Sequence, residues 1–302
     1  MRFPRTFTAL ILVVGFATAF LPTGAQALTY TITDLGTLGG SFSTAFGINE
    51  NGDITGGART AAEETRAFLY SGGSMSDIGT LGGSTAWGYS INNQGHIAGD
   101  STLAGSFGHA FLYDGTDLQD LGTLGGKFSS ARGINDNGMV TGWSQLSPTT
   151  ATRHAFIYDG NTMVDLGTLA QGHSEGFAIN NSGHVTGQGG AANGQWHAFY
   201  YDGSTMIDLG DLGGGFSRGF DINESDQIVG QSNLANGDVR AFRYSGGTMT
   251  NLGVLAGGDT SDALGINDLG QVVGESTVSV GVRHAFLYDE YAGGMVDLND
   301  CI

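Results

Sequence analysis

The chain has 302 residues with 29 acidic side chains against 11 lysines and arginines, a formal net charge of −18. That charge repels nucleic acid and anionic lipid surfaces, so neither is expected as a partner. Glycine occurs 54 times beside 40% hydrophobic and 10% aromatic residues but only 3 prolines, a balance that excludes a disordered proline-rich linker and points to an ordered β protein rich in turns.

In chain order, the first segment reads as an export leader. Arg2 and Arg5 precede an apolar run from Phe7 to Leu21, and Ala25-Gln26-Ala27 offers small residues where a signal peptidase cuts. Cleavage after Ala27 leaves residues 28–302 as one repeat domain, exported across the inner membrane to the cell exterior, and takes the formal charge to −20. The apolar run is short for a membrane span and no second run follows it. Cys301 is the one cysteine, so no intrachain disulfide forms and stability must come from packing.

The next element, DLGTLGG at residue 34, recurs. DIGTLGG starts at 77, DLGTLGG at 120, DLGTLAQ at 165, DLGDLGG at 208, NLGVLAG at 251 and a last fragment, DLND, at 297. A fixed period marks a repeat architecture. Each unit holds four strand-like pieces: in the second, GYSIN, a turn at NQG and HIAG are followed by HAFLY, a turn at DGT and LQDLG. HAFLY is apolar on both faces, so its sheet is covered on both sides. The expected fold is all-β, a β-propeller of about six four-stranded blades or an incomplete seven-blade ring; a β-solenoid is the alternative. An unclosed ring would expose strand edges and apolar blade faces.

These motifs, with GINDNG at 133–138 and HAFLYDG at 109–115, resemble the bacterial extracellular HAF-repeat proteins. The resemblance covers nearly all of the mature chain and implies secretion and a propeller-like fold, with no biochemical activity attached. Members of that family continue past DLND into a further hairpin and a last HAF-type strand, whereas this sequence ends at Ile302. Six strand sets with seven DL-type strands leave the closure of the ring open, and TYTITDLG at 29–36 is the expected outer edge of the last blade.

Columns that hardly vary are structural. Asn49, Asn92, Asn135, Asn180, Asn223 and Asn267 precede the first hairpin turn, where a side-chain carbonyl accepts from turn N–H groups. Calcium at Asp136-Asn137-Gly138 is not expected: the equivalent positions read Glu50-Asn51, Asn93-Gln94 and Asn181-Ser182, and a calcium loop needs several oxygen ligands at fixed spacing. His109, His154, His197 and His284 share a column with Arg66 and Arg240. That exchange excludes a metal ligand or general base and asks for a hydrogen-bond donor, aimed at the backbone of the neighbouring blade. His96 and His184 follow turn glycines and are expected in solvent.

Columns that vary are the functional candidates. One face collects the loops between second and third strands, at 58–65, 100–108, 143–153 and 188–196. Four residues before each IN isoleucine, a second column reads Thr44, Trp87, Ser130, Glu175, Arg218 and Asp262. Trp87, Glu175, Arg218 and Asp262 are therefore taken as lining a ligand at the mouth of the channel, with Trp143 and Trp196 as stacking surfaces. Solvated strand starts with salt-paired charges are the plain alternative. There is no G-x-S-x-G elbow, H-E-x-x-H or cysteine–histidine spacing, so no catalytic, cofactor or metal residues are expected. The sequence points to a secreted, non-catalytic scaffold for a polysaccharide or a surface protein. The alternatives are a glycosidase or lyase using Glu175 and Asp262 as its carboxylates, and a structural component of an envelope or matrix.

Overall fold

The computed structural model describes residues 33–105, 107–290 and 293–301. The leader at 1–27 and most of TYTITDLG lie outside them. Twenty-four strands form six antiparallel sheets of four, each built from consecutive strands in the order 1-2-3-4. The sheets are the blades of a six-blade β-propeller, spanning 39–77, 82–120, 129–165, 171–208, 213–253 and 261–297. A 3₁₀ turn, Leu298–Cys301, follows the last. The propeller replaces the solenoid alternative: hairpins pair within each unit and no coil is shared between units.

Each blade is organised around its HAF phenylalanine. Phe68, Phe111, Phe156, Phe199, Phe242 and Phe286 are all fully buried on the third strand. Each lies opposite a second-strand glycine, as in Gly187↔Phe199 and Gly230↔Phe242. A Cβ on Gly187 would stand 1.9 Å from the Glu175 carbonyl oxygen, and on Gly230 1.8 Å from that of Arg218. Glycine is required there by close approach, and it lets the first strand lie flat beneath the aromatic layer. The carbonyls it accommodates belong to the variable column, so an invariant glycine fixes the backbone that carries the candidate site.

The crossing turns settle the nature of DLGTLGG. Asp34, Asp77, Asp120, Asp165 and Asp208 each accept a bond from the N–H of the glycine two residues on, at 2.7 to 2.9 Å. That glycine takes a left-handed φ, +76° at Gly36 and +70° at Gly210, which a Cβ disfavours. The chain then enters the next blade's first strand, so the loop is a connector between sheets. Residues 33–36 of TYTITDLG form no strand.

Blades are joined by an asparagine ladder. Asn92 Oδ1 accepts from the N–H groups of Gln94 and His96 within its own turn, the Asx device expected from sequence. Its amide also donates to the Asn135 carbonyl of the next blade at 3.0 Å. The same inter-blade bond runs from Asn49 to Asn92, Asn135 to Asn180, Asn180 to Asn223 and Asn223 to Asn267. Asp136 is used here too, its carboxylate accepting from the backbone and side chain of Asn93 at 2.9 Å.

Two histidine expectations are corrected. The rings of His109, His154 and His197 pair at 2.8 to 2.9 Å with Asp120, Asp165 and Asp208, the DLG aspartates of their own blades. Only the arginines of that column reach the next blade's backbone, Arg66 at Ser84 and Arg240 at Asp259. The histidine ring is too short for that span. His184 is not in solvent: its Nδ1 lies 2.7 Å from Asp226 of the next blade and 3.0 Å from the Tyr200 hydroxyl.

Candidate functional site

The variable column occupies equivalent first-strand positions, each opposite a second-strand residue: Trp87↔Asp100, Ser130↔Trp143, Glu175↔Gln188, Arg218↔Gln231 and Asp262↔Glu275. The opposing column varies as much as the first, and it supplies residues that reading the first strands alone missed. In blades 2 to 5, the side chain of the column reaches the blade before it.

Blades 3, 4 and 5 form one polar relay. Arg153 of blade 3 pairs with Oε1 of Glu175 on blade 4. Gln188 donates to the other carboxylate oxygen at 2.8 Å, and Arg218 of blade 5 donates through Nε to Gln188 Oε1 at 2.5 Å. Glu175 and Gln188 are buried, and a buried carboxylate is tolerable only with such partners. Each guanidinium also rests on a ring: Arg153 lies 5.3 Å from the Trp143 centroid and Arg218 5.0 Å from that of Phe216. His173 stacks on Trp196 at 6.1 Å and accepts from the Arg153 N–H. Trp143 and Trp196 sit on the second and third strands, next to the loops rather than in them.

Asp262 of blade 6 stands apart. Its Oδ2 accepts from Arg283 at 2.9 Å, and Arg283 also pairs with Glu275. Its Oδ1 is buried and has no hydrogen-bond partner among the described residues. Trp87 packs toward blade 1, its ring filling the space above Gly57 and lying 6.4 and 5.9 Å from the rings of Phe42 and Phe46. Glu175 and Arg218 are thus brought together through Gln188, whereas Trp87 and Asp262 lie at opposite ends of the blade series.

Blades 2 and 3 hold a further set. Ser130 donates to Asp100 at 2.7 Å, and the Arg132 guanidinium lies 4.0 Å from the Tyr89 ring centroid. Burial raises the Asp100 carboxyl above the ordinary range, with Ser130 and Arg132 pulling it back. Burial, reinforced by Asp100, raises the Tyr89 hydroxyl to about 12. Two positions beyond the variable column, Phe46 meets Tyr89 at 5.3 Å and Phe177 meets Phe220 at 6.2 Å. This aromatic column is legible in the repeats once they are stacked.

No family model and no curated protein sequence matches the chain. Among solved structures, the β-propeller domain of the trilobed protease from Pyrococcus furiosus, described as having an open velcro topology, superposes with a TM-score of 0.63 at 11% identity, over 89% of this chain and 86% of its own. Acylaminoacyl peptidase bound to a chloromethyl ketone matches at 0.57 and 8% identity, over 89% of this chain and 46% of its own. TolB from Acinetobacter baumannii matches at 0.54 and 11%, over 80% and 62%. The chain therefore spans less than half of that peptidase, and at these identities the likeness is one of fold. These matches correct the functional expectation. The architecture is that of peptidase propellers and TolB, so the secreted non-catalytic scaffold, with its polysaccharide ligand, its glycosidase or lyase alternative and its matrix alternative, is set aside. Among the described residues no helix is long and apolar enough to cross a membrane.

Proposed function

We propose that this propeller engages an extended polypeptide across the mouth of its channel, as the substrate-handling domain of a peptidase-type assembly. The observation that carries the reading is a donor and an acceptor left over on adjacent blades. Beyond its Nε bond, Arg218 has no other hydrogen bond among the described residues, so its terminal N–H groups are available to a carbonyl. Asp262 Oδ1 is buried without a donor, beneath the half-exposed Arg283 side chain. A buried acceptor left unsatisfied costs about 1–3 kcal/mol, and an N–H entering beside Arg283 recovers it. An extended peptide presents C=O and N–H groups at every residue, which is the complement of this pair. Trp143 and Trp196 add aromatic surface for its side chains. The resemblance to HAF-repeat proteins and the leader-like start belong to the same reading, which puts the encounter outside the cytoplasm.

The test is a tryptophan-fluorescence titration with a positional-scanning decapeptide library. Peptide pools should quench with saturation, and Arg218→Ala and Asp262→Asn should each weaken binding about tenfold, the equivalent of ~1.4 kcal/mol. Oligosaccharides should give no response. Saturable oligosaccharide binding, or peptide binding indifferent to both substitutions, would refute the proposal.

A further inference from the structure

The six first strands share an irregularity that the polar relay does not use. In each, one residue drops out of the ladder to the second strand. The register jumps from Ala45 to Gly47, from Gly88 to Ser90 and from Gly176 to Ala178, and likewise in the other three blades. The residues left out are Phe46, Tyr89, Arg132, Phe177, Phe220 and Leu264. A β-bulge re-aims a side chain, and its recurrence marks a built feature. First strands of consecutive blades pack on one another, so they are the innermost. The bulged rings meet across junctions, 5.3 Å apart at Phe46 and Tyr89 and 6.2 Å apart at Phe177 and Phe220, which makes one layer along the channel.

That layer is aromatic or aliphatic at five positions and cationic at one. Phe46 and Leu264 are 50% and 53% exposed, and apolar surface gathered at one place marks a contact site. Arg132 is the exception. Among the described residues, every arginine except Arg132 and Arg218 pairs with a carboxylate. Arg132 instead rests over the Tyr89 ring, 4.0 Å from its centroid. Asp100 feels its charge without forming an ion pair, and accepts from Ser130 at 2.7 Å. Stacking on a ring holds a guanidinium in place and leaves N–H groups along its edge for a planar acceptor. Within a chain of formal charge −18, a cation without a carboxylate partner is the complement of an incoming one.

We infer that this collar takes the C-terminal residue of a polypeptide, with its free carboxylate on Arg132 and its apolar side chain against the bulged rings. The inference rests on the reading above, in which a polypeptide crosses the mouth. The bulged layer lies two residues along the strand from the column of Arg218, about 6–7 Å, which is the span of two peptide residues. A chain held at the mouth thus sets its last residue one step deeper. The chemistry selects a chain end. An internal residue offers an apolar side chain or a carboxylate, never both. A fatty acid offers both, but the collar has one residue per strand, and a layer one residue deep covers a single side chain rather than an acyl chain.

The test uses the full chain and fluorescein-labelled decapeptide pools, randomised at every position but the last and read by anisotropy. A pool ending in leucine with a free carboxylate should bind about tenfold more tightly than the same pool ending in leucine amide. It should also bind about tenfold more tightly than a pool ending in serine with a free carboxylate. Arg132→Gln should abolish the preference for the free carboxylate, and Arg132→Lys should keep part of it. Phe46→Ser, at a half-exposed position outside the blade cores, should narrow the preference for leucine over serine about threefold. Equal binding of acid and amide overturns the inference. If Arg218→Ala still weakens both, a polypeptide crosses the mouth without its end in the collar. Binding by no pool overturns the inference together with the reading beneath it. Dodecanoate bound more tightly than the leucine pool, and lost in Arg132→Gln, would assign the collar to an acyl chain and overturn the inference as well.

Discussion

At the residue scale, a repeat shows its chemistry where one copy departs from the rest. Asp221 is such a place: the column otherwise holds Gly47, Ser90, Gly133, Ala178 and Gly265. Its carboxylate accepts from the Ile222 N–H and, across the junction with blade 6, from the Ile266 N–H, both at 2.9 Å. Some of its surface remains accessible, but protein crowds the carboxyl, and desolvation raises its pKa to about 6, with Asp268 adding repulsion. Because the folded pKa lies above the ordinary 3.8, the native state holds the extra proton between about pH 4 and 6. This group therefore disfavours folding progressively as pH rises through that window. Asp221→Asn should gain stability relative to the parent by on the order of 2 kcal/mol between pH 4 and pH 8. Paired urea melts across that range measure it, and a pH-independent difference would contradict the assignment.

At the element scale, the turn asparagine does two jobs, and the six copies allow them to be separated. Asn92 is buried, caps its own turn and bonds to blade 3. Asn267 caps its turn with the same 2.9 Å bond but, among the described residues, bonds to no following blade. Asn92→Ala should cost about 2–4 kcal/mol, and Asn267→Ala about 1 kcal/mol less for want of the inter-blade bond. Thermal melts of the two variants compare them directly. Equal losses would mean that the ladder contributes nothing beyond the turns. The turn role was legible in the sequence because an oxygen-bearing side chain before a positive-φ glycine has one local use. The ladder was not, since no single repeat contains its own neighbour. The histidine column failed for a related reason: exchange between His and Arg shows that a donor is wanted, but side-chain length decides which acceptor each one reaches.

At the scale of the molecule, the propeller and the strand order of its blades could be read from the period of DLGTLGG and the two hairpins per unit, because each blade repeats one local solution. Ring closure could not, since it depends on small twists added over six junctions. Val229 and Val273 hold the same position in blades 5 and 6, yet the first is fully buried and the second 39% exposed. Val229→Glu, at a fully buried position, should unfold the protein, whereas Val273→Glu, at the equivalent but open position, should leave its melting temperature within a few degrees of the parent. Comparable damage from both would contradict that difference in burial. The site was half legible: variability singled out Glu175 and Arg218, while Gln188 and Arg153, which join them, came from strand pairing and blade order. Trp87 was chosen by the same variability, yet its ring fills the space above a glycine of blade 1.

The central claim is that a polypeptide lies across the mouth at blades 3 to 6. The most direct test is photo-crosslinking of a benzophenone-bearing decapeptide library to the intact chain, with the adducts mapped by mass spectrometry. The account predicts adducts concentrated at Trp143, Trp196 and Arg283 and lost together in Arg218→Ala. Adducts spread over the outer strands, or undiminished by that substitution, would contradict it.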